Sequence, residues 1–245
     1  ARYFAGVLYM VNPFMYIKGV VGSWLLLAGY AVVPLAIGRM LTLLERPKIR
    51  QAMLLALVMT VVAINVHALF LATIMGLILS IIHYVRKRAK AAVLWVMVAA
   101  AIWGVLNLHW LLPLVTAENT TFDLLTRQDQ TLFTSRQVDF NTVFTVASLH
   151  GYWREGYLYT KDALPWWPLI FVVLLYLAVH GTLARWRDWR VQGLALVGIL
   201  ALALGSGISG PFSGFSEGLF DNVPIFRSMR DSYKYVALLA FVYAY

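Results

Sequence analysis

The chain has 245 residues, 61% of them hydrophobic and 13% charged, with a mean hydropathy of +0.75 and a formal charge of +9. Soluble domains run at about 45–50% apolar and about 25% charged, so too little polar surface remains here to cover a water-soluble globule. That balance excludes a soluble enzyme, a disordered tail and a collagen-like fibre. It predicts an all-α fold, a polytopic integral membrane helical bundle with two loops on its outer face. With no cysteine there are no disulfides, thiolate metal sites or cysteine nucleophiles.

In chain order, residues 3–15 read as the tail of an earlier segment, stopped by the turn-forming pair Asn12-Pro13. Spans of about 20 apolar residues are then expected, set by roughly 30 Å of hydrocarbon. They fall at 20–44, 52–65, 67–84, 91–115, 168–184, 191–206 and 235–245, within a single transmembrane domain. As one helix, the run 52–84 would extend about 50 Å, too far for one crossing. A shallow hairpin broken near Asn65-Val66-His67 fits better, because it puts the basic segments on either side of it on the same face. Both chain ends read as cut from a longer protein.

Charge sign sorts with that path. The inner face collects Arg39, Arg46, Lys48, Arg50, Arg86, Lys87, Arg88, Lys90, Arg185, Arg187 and Arg190 against Glu45 and Asp188. The remaining nine cations and nine anions cancel on the other side. An excess of Lys and Arg marks cytoplasmic loops, so the bias predicts an integral membrane protein with its basic loops inside. The same bias accounts for a pI near 9.9 without nucleic acid as a partner.

Two outer loops follow, 116–167 and 205–234. Polar residues expected near that face are Asn65 and His67 at the hairpin tip, Asn107 and His109 near the end of 91–115, and His150 and Glu155 in the large loop. Intramembrane polar groups commonly line cavities or bond neighbouring helices. Asn65, His67, His109, His150 and Glu155 are therefore candidates for an outer cavity. The alternative for each is a satisfied backbone neighbour. Asp123, Asp129, Asp139, Glu155, Asp162 and His150 are the acid or base candidates, with a solvated loop face as the alternative.

The stretch from Arg227 to Tyr235 carries the strongest signal. With Asp231 or Ser232 as N-cap, Arg227, Arg230 and Lys234 surround the first turn of a helix, a setting that suits an anionic phosphate. Their alternative is snorkelling to outer headgroups, or pairing with Asp221 and Asp231. No HExxH, Walker loop, GxSxG or dinucleotide fingerprint occurs. The Gly-rich 205–218 reads as a flexible hinge. Asn119-Thr-Thr matches a glycosylation acceptor by chance, beside the end of an apolar run. The histidines show no metal spacing, so no metal ligands are assigned; no cofactor is predicted, and dependence on a divalent metal stays open.

Two stretches resemble a known family. One is Tyr9-Met-Val-Asn12-Pro13-Phe14-Met-Tyr16 with Gly22-Ser-Trp24 and Gly-Tyr-Ala-Val-Val-Pro34. The other, Pro224-Ile-Phe-Arg227-Ser-Met-Arg230-Asp-Ser-Tyr-Lys234-Tyr, is similar to the F-R-x-x-R-[ED]-x-x-K start of a later helix. Both look like polytopic membrane glycosyltransferases of the GT-C superfamily, especially its bacterial and archaeal members. The resemblance covers about 45 residues. It implies a polyprenyl-phosphate-linked sugar donor, transfer on the outer side, and Arg227, Arg230 and Lys234 as contacts to the donor phosphate. The family's usual catalytic acid lies in a first outer loop that this chain begins after, so no catalytic residue is carried over. A non-catalytic accessory subunit bound to a membrane-protein partner is the competing reading. A transporter or lipid flippase ranks third, for want of paired midplane charges and inverted repeats.

Overall fold

The computed structural model describes residues 2–117, 124–138 and 140–245; Asn119, Asp123 and Asp139 lie outside the described residues. All regular structure among the described residues is helical. The first seven helices are α1 (Arg2–Met10), α2 (Pro13–Val20), α3 (Trp24–Glu45), α4 (Ile49–Val62), α5 (Val66–Lys87), α6 (Lys90–Leu106) and α7 (Leu108–Thr116). Short helices α8 (Arg127–Leu132), α9 (Thr142–Ala147) and α10 (Thr160–Ala163) precede α11 (Trp167–Ala184) and α12 (Trp189–Gly205). The chain ends with α13 (Ser213–Asn222), α14 (Pro224–Arg227) and α15 (Val236–Ala244), the last preceded by a 3-10 turn at Ser232–Tyr235.

Helices α3, α5 and α11 are long and apolar enough to cross a membrane. The pair α6 and α7 passes the same test but is bent by 84° and counts as a fourth only as one broken span. The run 91–115 is therefore not one straight helix: Asn107 is the residue at the break, and His109 lies beyond it in α7. Helices α4 and α12 are apolar but shorter; fourteen residues of α4 reach only about 21 Å. Residues 20–23 do not belong to α3, because Gly22 turns the chain at φ 75° between α2 and α3.

The helix boundaries follow local chemistry. Asn12 caps α2 by accepting from the Met15 N–H at 3.1 Å, and Pro13 occupies the first helical position, where its missing N–H costs nothing. Asn65 caps α5 by accepting from His67 and Ala68 N–H groups at 3.0 and 3.1 Å. The run 52–84 is accordingly two helices. Arg88 closes α5 in a left-handed conformation, with φ 53°.

The chain divides into two compact units. One comprises residues 24–120 and 187–194. In it α3 packs on α4, α5 and α6, and α4 packs on α6. Gly29 lets α3 and α5 approach so closely that an added Cβ would stand 2.5 Å from the Ala68 Cβ, the small-residue contact expected between apolar helices.

The other unit comprises residues 1–23, 121–186 and 195–245. Its centre is α15, with Val236 to Phe241 buried and contacts to α1, α2, α9 and α11. The stretches read as loops from sequence hold α8 to α10 and α13 to α14. The first half of the Gly-rich segment is closely packed. Gly207 has φ 58°, and a Cβ there would meet the Thr134 Oγ1 at 2.3 Å.

Candidate functional site

The basic stretch before α15 lies in the second unit. Asp231 stands at the N-cap position of the 3-10 turn, but its side chain makes no capping bond and accepts instead from the Lys18 ammonium at 2.8 Å. Both side chains are buried, 3% and 10% exposed. The Lys18 Nζ also lies 4.8 Å from the Tyr152 ring centroid and 5.2 Å from that of Tyr233, on the electron-rich faces that attract a cation. Phe14, one turn before Lys18 on α2, packs on Tyr233 with centroids 5.6 Å apart. The Tyr233 hydroxyl donates to the Leu149 carbonyl at 2.9 Å. Burial pushes the Tyr152 hydroxyl up to about 12 and that of Tyr233 well above its ordinary value, so both rings stay neutral beside the pair.

Arg230 and Lys234 extend this cluster. Lys234 is half-buried, and its Nζ donates to the Ser228 carbonyl at 3.3 Å. Burial pulls its ammonium down to about 8, with Asp231 raising it and Lys18 and Arg230 lowering it. The Arg230 guanidinium lies 4.6 Å over the Phe133 ring and borders a cavity of about 30 Å³, with Gln130, Thr134, Ser216 and Ser232 among its polar lining. A void of that size holds about one water molecule. Arg227, at the end of α14, donates from Nε to the Phe220 carbonyl at 3.3 Å. The cluster the fold assembles is thus Lys18, Asp231, Lys234 and Arg230. Asp221, considered from sequence as a partner for these cations, pairs with Arg127.

The other candidates have structural employment. Glu155 forms an exposed ion pair with Arg136. Asp129 closes a capping box with Thr126, whose hydrogen bonds hold its carboxyl below the ordinary range. Asp162 accepts from the Tyr159 N–H at 3.2 Å. His150 is 2% exposed, with Nδ1 2.9 Å from the Ser148 carbonyl and its ring against Tyr159 and Trp167. It is a buried residue packed among aromatic rings.

Asn65, His67 and His109 fall in the first unit, whereas His150 and Glu155 fall in the second. Asn65 is a helix cap, His67 is half-buried and His109 is exposed on α7. Buried Asn107 donates to the Thr60 hydroxyl at 2.9 Å and the Trp103 carbonyl at 2.8 Å, and accepts from the Trp110 indole at 2.9 Å. Among the described residues no three His, Cys, Asp or Glu side chains converge as metal ligands.

Lys18 is the member of the cluster that sequence reasoning missed. Its signal was a lone ammonium in the apolar run 13–21, where an unpaired charge is costly. No family model, curated protein or solved structure matches this chain.

Proposed function

We propose that the chain is, or belongs to, a GT-C-like polytopic membrane glycosyltransferase that takes a sugar from a polyprenyl-phosphate carrier on the outer side of a prokaryotic plasma membrane. The observation that carries the reading is the local charge excess around Asp231: Lys18, Arg230 and Lys234 against one carboxylate. Such an excess favours a phosphate group, and cations beside a departing phosphate stabilise the negative charge that develops as the sugar leaves. Trp153 and Phe133 are half-buried adjoining rings of the kind that sugars stack on, with centroids 4.5 Å apart. The general base is not assigned to any residue.

The cavity beside Arg230 is smaller than a phosphate-linked sugar. Donor binding in this reading therefore lifts Arg230 from the Phe133 ring. The same tightness favours the second reading, a non-catalytic subunit whose exposed α11 surface packs on a membrane-protein partner. Arg227→Gln, Arg230→Gln and Lys234→Gln together should weaken polyprenyl-phosphate binding by about tenfold or more. Unchanged affinity removes the phosphate site. Stable co-purification of a partner with no lipid-phosphate binding selects the accessory subunit.

A further inference from the structure

A second cluster lies wholly within the unit of residues 24–120 and 187–194, where the ends of α3 and α5 meet the starts of α6 and α12. They enclose a cleft of about 570 Å³, within the size range of small-molecule sites. His83, 5% exposed, lines it, and its Nδ1 is buried without a hydrogen-bond partner. The His83 ring stands edge-on to Trp189, centroids 4.6 Å apart. Lys87 and Arg190 add two cations to the lining, and Glu45, its one carboxylate, is neutralised by its ion pair with Arg190.

The start of α6 borders the same cleft through Ala89 and Ala91, and Ala89 supplies no side-chain cap to that 17-residue helix. A helix N-terminus carries partial positive charge and favours an anion. A buried ring nitrogen, the Lys87 ammonium in excess of the Glu45–Arg190 pair and an uncapped helix start therefore face one space.

We infer that this cleft binds the phosphate of an anionic phospholipid, an inference independent of the glycosyltransferase reading. The shared chemistry is a phosphate anion. A lipid is favoured over free phosphate because Leu44, Ala92 and Trp189 make much of the wall apolar, and because the cleft sits at the ends of two helices able to cross a membrane, the depth at which headgroups lie. Basic pockets between apolar helices are suited to such headgroups.

Native mass spectrometry of the full chain in detergent tests this, with dioleoyl phosphatidylglycerol titrated against dioleoyl phosphatidylcholine and inorganic phosphate. Phosphatidylglycerol should bind about fivefold tighter than phosphatidylcholine, and Lys87→Gln, at an exposed position, should lower its affinity by about fivefold. His83→Phe should lower it as well while keeping the ring against Trp189. Lys48→Gln removes the same charge outside the cleft lining and should change affinity less than about twofold. Equal losses from Lys48→Gln and Lys87→Gln would mean diffuse surface charge and overturn the site. Displacement of the lipid by equimolar inorganic phosphate would overturn the lipid assignment.

Discussion

Lys18 and Asp231 stand 213 residues apart in the chain and form a 2.8 Å ion pair buried beneath two tyrosine rings. The pair ties α2 to the approach to α15 through Asp231 Oδ2, and the buried Oδ1 has no hydrogen-bond partner. Removing one partner leaves an uncompensated buried charge, which costs about 3–5 kcal/mol, whereas replacing both by apolar groups is often neutral. Lys18→Met should therefore lower the melting midpoint of the detergent-solubilised protein sharply, and Lys18→Met with Asp231→Leu should restore most of it. Equal losses in the single and double variants would show that the pair is not the source of stability.

Lys234 titrates near 8 in the folded chain, against about 10.4 when unperturbed. Below pH 8 the fold carries the full cost of a charged, half-buried ammonium. Between about pH 8 and 10 the unfolded chain holds more protons, so stability should rise with pH, by at most about 1.4 kcal/mol per unit. Phosphate affinity should fall over the same range as the ammonium neutralises. Urea titrations at pH 7.5 and 9.5 check the first effect, and a Lys234→Met protein should lose that rise.

Asn107 satisfies three groups where α6 gives way to α7. Asn107→Leu leaves the half-buried Trp110 indole without its acceptor, at a cost of about 1–3 kcal/mol for a group left unpaired, while the Thr60 hydroxyl keeps its bond to the Ala56 carbonyl at 3.0 Å. A clear drop in thermal stability is expected, together with a change in Trp fluorescence. An unaltered emission spectrum would mean that Trp110 does not depend on this bond.

Two glycines in α3 make a matched comparison. Gly29→Ala drives a methyl against Ala68, and overpacking of that kind costs about 1–3 kcal/mol. Gly38→Ala meets nothing within 4 Å and should be neutral or stabilising, by up to about 1 kcal/mol. Ala68→Gly should rescue the first variant. Equal melting points for the two single variants would contradict the close approach of α3 and α5.

The features legible in the sequence were those set by near neighbours. Asn12 before Pro13, and Asn65 amid apolar residues, broke the helical runs because an Asn side chain competes for backbone N–H groups only a few positions ahead. The 84° bend was hidden for the opposite reason. Residues 91–115 are almost uniformly apolar, and hydropathy measures content, not direction. The only proline in α7 is Pro113, past the bend. The side-chain partner of Asp231 was also hidden, since the residue stands at a cap position but pairs with Lys18 from the far end of the chain. His150 and Tyr152 sit in a loop by sequence, yet their rings pack on Trp167 and Tyr233, contacts that come from residues distant in the chain.

The bend between α6 and α7 has a mechanical consequence. With α6 upright in a bilayer, a helix turned by 84° from it runs along the plane of the sheet. None of the α7 residues is buried, and its nine residues cover about 14 Å of that plane. A helix lying so would take up area in one leaflet that the opposite leaflet does not match. The chain would then favour a monolayer under tension, and its partition between flat and highly curved vesicles would report on the angle of that single turn.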